Sequence, residues 1–136
     1  MAVFDHLGIT VDDLARGIAQ FGPVLDALGF AREDEDDSSS WWREGETQLI
    51  LYRAREAGTG PHRHGRVGWQ HLAFAVDSRA EVDRLHDVAI AAGWSPVREP
   101  KLYPRFNERY YASFVEDDNG IRIEFMHNPP RTDADG

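Results

Sequence analysis

The chain has 136 residues, 15 of them basic and 24 acidic, for a net charge of −9. That length suits one domain with a single core, or two small halves sharing one. The acidic balance disfavours nucleic acid or an anionic membrane as partner, because phosphate recognition needs a positive surface.

With no cysteine, disulfides and thiolate metal sites are both excluded. No apolar run approaches the roughly 20 residues of a membrane span. The N-terminus lacks a signal-peptide pattern, so a cytoplasmic protein is expected. Much of the acid lies in REDEDD (Arg32–Asp37) and in the C-terminal TDADG, both read as solvated charge.

The first predicted strand covers Ala2–Thr10. Val3, Leu7 and Ile9 fall on one face, and Phe4, His6, Gly8 and Thr10 on the other. Leu14, Ile18, Phe21, Leu25 and Leu28 then recur at helical spacing, with Gly22-Pro23 expected to break or kink the helix. The LGF at Leu28–Phe30 offers Gly29 as a C-cap. Strand-like runs follow at Phe30–Arg32, Ser40–Arg43 and Thr47–Arg53. Trp41 and Trp42 are adjacent, so one faces in and one out.

The segment REAGTGPHRHGRVG reads as a linker, placed at 57–67, and its His62 and His64 as surface histidines. The next strand, Trp69–Val76, repeats the first. Leu72, Phe74 and Val76 oppose Trp69, His71, Ala73 and Ala75. Ser78 and Glu81 form a capping-box signature ahead of the stripe Val82, Leu85, Ala89 and Ala92. His86 is expected to face solvent. After AGW at Ala92–Trp94 come strands at Trp94–Arg98, Tyr110–Glu116 and Ile121–His127. The chain thus reads as one α+β domain, 1–128, made of two β-α-β-β-β modules (1–56 and 68–128). Residues 129–136 are expected to form a flexible tail.

Each half places one histidine opposite its aliphatic face, with a small residue, Gly8 or Ala73, two positions on. A local two-fold between the halves would bring His6 and His71 together. On the last strand Ile121, Ile123 and Phe125 face one way and Arg122, Glu124 and Met126 the other. Glu124 is then an acid in an apolar strand, and it needs a partner: a cation, or an arginine such as Arg122 or Arg66. Two imidazoles and a carboxylate with open positions suit Fe2+, Mn2+, Zn2+ or Ni2+. His127 falls on the wrong face to join them.

DHLGITVDDL, LGF, QHLAFAVDSRAEV, AAGW and VEDDNGIRIEF together resemble the vicinal oxygen chelate superfamily, to about Asn128. This group includes glyoxalase I, fosfomycin-resistance transferases, extradiol dioxygenases and bleomycin-binding proteins. The resemblance implies a cupped mixed sheet around a divalent metal, with the helices on the outer faces. It also implies metal ligands at His6, His71 and Glu124, and a homodimer in which strands of two chains can complete each cavity.

The position matching glyoxalase I's fourth ligand holds Ile50, so the pattern is that of three-ligand members. Extradiol-type His and Tyr spacing and the Lys/Ser-rich fosfomycin loop are both missing. The expected cavity is lined by Phe4, Gln48, Tyr52, Trp69, Arg122 and Met126, with Tyr110 or Tyr111 at its edge. KLYPRFNERYY reads either as a lid over an anionic or aromatic substrate or as an ordinary connection.

The expected function is a metal-dependent lyase, isomerase or dioxygenase acting on a small oxygenated or aromatic substrate, with Glu124 also a candidate catalytic group. The alternative is a metal-free protein that sequesters a small molecule, as bleomycin-binding relatives do.

Overall fold

The computed structural model describes residues 3–56 and 58–130; the expected tail from 131 onward lies outside the described residues. The first module runs β1 (His6–Val11), α1 (Leu14–Ala27), β2 (Ala31–Asp34), β3 (Ser38–Trp42) and β4 (Gln48–Arg53). The second runs β5 (Leu72–Ala75), α2 (Arg79–Ala91), β6 (Ser95–Leu102), β7 (Tyr111–Glu116) and β8 (Arg122–His127). Each module folds its strands into one sheet, ordered β1-β4-β3-β2 and β5-β8-β7-β6. The first strand of each pairs in parallel with the last, and the remaining pairs are antiparallel. This is an α+β fold of two βαβββ modules.

The helix ends follow their local chemistry. Asp13 caps α1 by accepting from Arg16 N at 3.1 Å, and Ser78 caps α2 by accepting from Glu81 N at 3.1 Å. Gly29 and Gly93, just past the helices, take φ of +88° and +99°, where a side chain would strain the turn. Of the break or kink expected at Gly22-Pro23, the break does not occur, and α1 runs through Pro23. Proline forfeits one helical hydrogen bond, but Phe21, Val24 and Leu25 around it are fully buried. Tertiary packing of that face holds the helix together.

One continuous core joins the modules. Ile9, Val11, Trp41 and Leu51 pack with α1 on one side, and Val115, Ile123 and Phe125 with α2 on the other. Trp41 is fully buried and Trp42 is half exposed.

The two helices lie against each other, each on the apolar face of its own sheet. Gln20, fully buried on α1, forms the polar centre of this seam. Its amide donates to Gly93 O at 2.9 Å and to Asp118 Oδ1 at 3.2 Å, and its backbone oxygen accepts from the Trp94 indole at 2.7 Å. Arg16 pairs with Asp118 at 2.7 Å, and Phe21 meets Trp94 edge-to-face.

Two expectations are corrected by this packing. The helices sit between the sheets of one chain and not on their outer faces, and β1 and β5 lie at the edges of separate sheets. His86 is buried because α2 packs over β6; its Nε2 lies 3.0 Å from Glu99 Oε2. The linker is anchored at His62, whose N–H donates to Asn119 O at 2.8 Å.

Gln20→Leu should leave Gly93 O and Asp118 N without their partners. The expected loss is about 1–3 kcal/mol for each group, read by urea denaturation. Gly17 is a second sensitive point, because a Cβ there would stand 2.9 Å from the stiff Val11 side chain. Gly17→Val should destabilise the fold by about 1–3 kcal/mol, the usual range for overpacking, and lower the melting temperature.

Candidate functional site

The site is built on the turn that launches β8. Asp117, buried, accepts from Asn119 N at 2.9 Å and from Ile121 N at 2.8 Å, closing the turn from within. Burial pushes its carboxyl above the ordinary range, opposed by these hydrogen bonds. Gly120 has φ +75°, and a Cβ on it would fall 1.7 Å from His62 O, so only glycine fits. From this turn β8 sends Ile121, Ile123 and Phe125 into the core and Arg122, Glu124 and Met126 to the opposite, open face.

Glu124 is 2% exposed, although it lies on the open face. Tyr110 and His71 account for its surroundings. The Tyr110 hydroxyl donates to Glu124 Oε2 at 2.5 Å, and His71 Nε2 lies 3.1 Å from Oε1. Burial first, and then this hydrogen bond, hold the Tyr110 phenol well above its ordinary range, so it remains a donor. Among the described residues no arginine pairs with the carboxylate: Arg122 bonds instead to Glu116 at 2.6 Å.

His71 Nδ1 sits 2.5 Å from Gln70 Oε1, an acceptor that places the ring proton on Nδ1. Its Nε2 faces the buried Glu124 Oε1.

A cavity of about 390 Å³ opens over these groups, with Phe106, Asn107 and Phe114 completing its walls. A larger cavity, about 830 Å³, lies on the open face of the first sheet beside Thr10, Tyr52 and Arg55. It contains neither a histidine nor a buried carboxylate; both line the smaller one.

The expected residues fall into two sets. His71, Tyr110 and Glu124 converge, with Met126 and Arg122 on the same strand face. His6, Gln48 and Tyr52 belong to the other sheet, and Phe4 precedes it as an exposed residue. Gln48 is the β4 neighbour of His6, and the Tyr52 ring lies over Gly8, where a Cβ would stand 3.3 Å away. His6 is exposed and bonds Asp5 Oδ1 through Nδ1 at 2.8 Å.

Among the described residues no three His, Asp or Glu side chains are gathered so as to hold a metal. The expected meeting of His6 with His71 and Glu124 does not occur within one chain. The two sheets turn their apolar faces to the shared core, so their polar faces look outward.

Two lining assignments are corrected by strand geometry. Tyr111 pairs with His127 on the core side and donates to Asp83 on α2 at 2.6 Å; that bond, with burial, raises its phenol to about 12. Trp69 precedes β5, packs on the core and donates its indole N–H to Arg122 O at 2.9 Å.

Phe114, Phe106 and Asn107 are absent from the expected lining. Phe114 was within reach of the strand period, since it pairs directly with Glu124. Phe106 and Asn107 lie in a loop without periodicity. Both belong to KLYPRFNERYY, which reads either as a lid or as an ordinary connection, and both line the cavity.

Residues 3–125 match the family model of the Glyoxalase/Bleomycin resistance protein/Dioxygenase superfamily, and the chain belongs to that family. It is 28% identical over 122 residues to the uncharacterized protein YqjT of Bacillus subtilis, covering 89% of this chain and 95% of the relative. It is 31% identical over 130 residues to the uncharacterized Pseudomonas aeruginosa protein PA2024, covering 92% and 88%. The crystal structure of a candidate glyoxalase from Bacillus halodurans superposes with a TM-score of 0.77 at 27% identity, covering 92% of this chain and 95% of that one. No helix among the described residues is long and apolar enough to cross a membrane.

Tyr110→Phe should cost about 1.5–3 kcal/mol of stability, the range for a hydrogen bond to a charged group, because Glu124 Oε2 loses its donor while staying buried. Chemical denaturation of the variant beside the wild type measures it.

Proposed function

We propose that this chain is a metal-dependent enzyme of its superfamily, acting on a small oxygenated substrate. In this reading it works as a homodimer in which His6 of one copy joins His71 and Glu124 of the other. The observation that carries it is a device repeated in both modules. In each, the residue just before the histidine anchors Nδ1, Asp5 for His6 and Gln70 for His71. Each imidazole therefore turns its Nε2 to an open sheet face, that of His71 against Glu124 Oε1 at 3.1 Å. Such an outer hydrogen bond is how proteins fix the tautomer and direction of a metal-ligating histidine. Glu124 supplies the carboxylate, and Tyr110 holds its other oxygen in place.

The residues present fit a divalent ion of the Fe2+, Mn2+, Zn2+ or Ni2+ kind, since imidazole and carboxylate suit all four. Such an ion supplies Lewis acidity to adjacent substrate oxygens and neutralises the charge that develops on them. The first module lacks a matching acid. Gly8 pairs with Ile50 as Ala73 pairs with Glu124, so Ile50 stands where a second carboxylate would be. Three protein ligands leave positions for substrate. Phe106, Phe114 and Tyr110 make the wall that excludes water from one side.

The two-chain arrangement follows from the edges. β1 and β5 each end a sheet, so each has unpaired backbone along one side. Setting β1 of one copy beside β5 of another extends the sheet and turns His6 toward Glu124. Two-fold symmetry then makes two identical sites.

A metal-free ligand-binding reading has one observation in its favour, namely that His71 and Glu124 already contact each other at 3.1 Å.

Complementation separates these readings. His6→Ala and Glu124→Ala chains should each purify without metal. Unfolded together and refolded, they should regain about a quarter of wild-type metal content, because random pairing gives mixed dimers one intact site. Metal retained by Glu124→Ala alone, or no recovery on mixing, contradicts the shared site. No uptake by wild type of Fe2+, Mn2+, Zn2+ or Ni2+ favours the binding protein.

A further inference from the structure

The second module holds an arrangement that the metal reading leaves unused, at the β6 side of the same cavity. β6 carries two irregularities against β7. Pro96 pairs with Val115, yet Arg98, not Val97, pairs with Phe114, and Lys101, not Pro100, pairs with Ala112. Each shift inserts one residue, and such bulges re-aim the side chains that follow them. Without the first shift Arg98 would face α2. With it, Arg98 joins the cross-strand row Arg98, Phe114, Glu124 and Ala73 on the open face. Among the described residues no carboxylate lies within 4.0 Å of the Arg98 or Arg105 side-chain nitrogens. Both are exposed and stand behind wall residues of the cavity, Arg98 paired with Phe114 across the strands and Arg105 over the Phe106 ring.

Between them in the chain stands Tyr103. It is 6% exposed, and its hydroxyl is buried without any hydrogen-bond partner. A buried hydroxyl left unpaired is costly, and native structures tolerate few of them. Burial raises its phenol, and Arg98, Glu124 and Arg105 are the charges that act on it. Its ring meets Phe106 stacked and Phe114 edge-on, both walls of the cavity. The loop carrying these groups is closed on itself, since Tyr103 N donates to Tyr110 O at 2.8 Å and Phe106 N to Tyr103 O at 3.0 Å. Arg105 is held over the Phe106 ring at 4.9 Å.

We propose that Tyr103, Arg98 and Arg105 form an anion-binding subsite of this cavity, which selects a small flat substrate bearing a carboxylate. The planar body lies among Phe106, Tyr110 and Phe114. The half-exposed Phe106 ring turns aside to admit the carboxylate to the Tyr103 hydroxyl. Guanidinium and phenol donors match the two oxygens of such a group. This names a substrate class for the site proposed above and rests on that reading for its chemistry, but not for its binding.

The test uses benzoate as probe and benzamide as its neutral analogue, titrated calorimetrically into the full chain in EDTA. Benzoate should bind about tenfold more tightly than benzamide. Tyr103→Phe should weaken benzoate about fivefold while leaving the melting temperature unchanged or raised, because it deletes an unpaired buried hydroxyl. Arg98→Ala should bring the two probes close to equal affinity. Equal binding of both probes to the wild type, no binding of either, or undiminished benzoate binding by Tyr103→Phe each overturn the subsite. Benzoate selectivity in a protein that takes up no metal leaves the subsite standing and overturns the metal reading. Metal uptake without selectivity does the reverse.

Discussion

The arrangement of this molecule depends on the buried seam between α1 and the second module. Gln20 is its polar centre, bonded to Gly93 and Asp118 and accepting from Trp94. A buried amide is stable only when its donors and acceptor are met, so the seam tolerates one relative placement of the two halves. That placement sets the helices back to back and turns both polar sheet faces outward. The distribution of the candidate site follows from it. A carboxylate and one histidine lie on one face, and the second histidine lies on the other.

The two modules share a frame and diverge in chemistry. Both anchor a histidine through the preceding residue, and both place a small residue, Gly8 or Ala73, beside the last strand. Only the second has an acid at the next position across, and only the second has the aromatic loop that closes over it. The isoleucine at 50 leaves the first face without a charge to shelter. Tyr52 and Trp42 are exposed there. The bulged β6 belongs to the same specialisation, because it brings cations to the face that carries the carboxylate.

Electrostatics around Glu124 tie stability to function. Its burial is sustained by Tyr110 and His71 rather than by an arginine, and Arg122, the obvious partner on the strand, is taken by Glu116. The carboxylate is thus left oriented but not neutralised by a permanent charge, a condition suited to receiving a cation. The same logic applies to Tyr103, whose hydroxyl is buried among aromatics without a partner of its own.

Much of this was legible in the chain itself. Strand alternation placed His6, His71 and Glu124 on the faces opposite the core, and helical spacing with Ser78, Gly29 and Gly93 marked α1 and α2, because these signals are local and depend on period and backbone conformation alone. What escaped was non-local. Pro23 inside α1, His86 beneath β6 and Tyr111 turned toward Asp83 are each decided by which element packs on which face, a matter of surfaces far apart in sequence. The repeat makes the two histidines equivalent, which suggests that they are neighbours. Equivalence fixes their orientation within each module but not how one module lies on the other. The Gln20 seam decided that, and it separated His6 from Glu124 within the chain by burying the faces that lie between them.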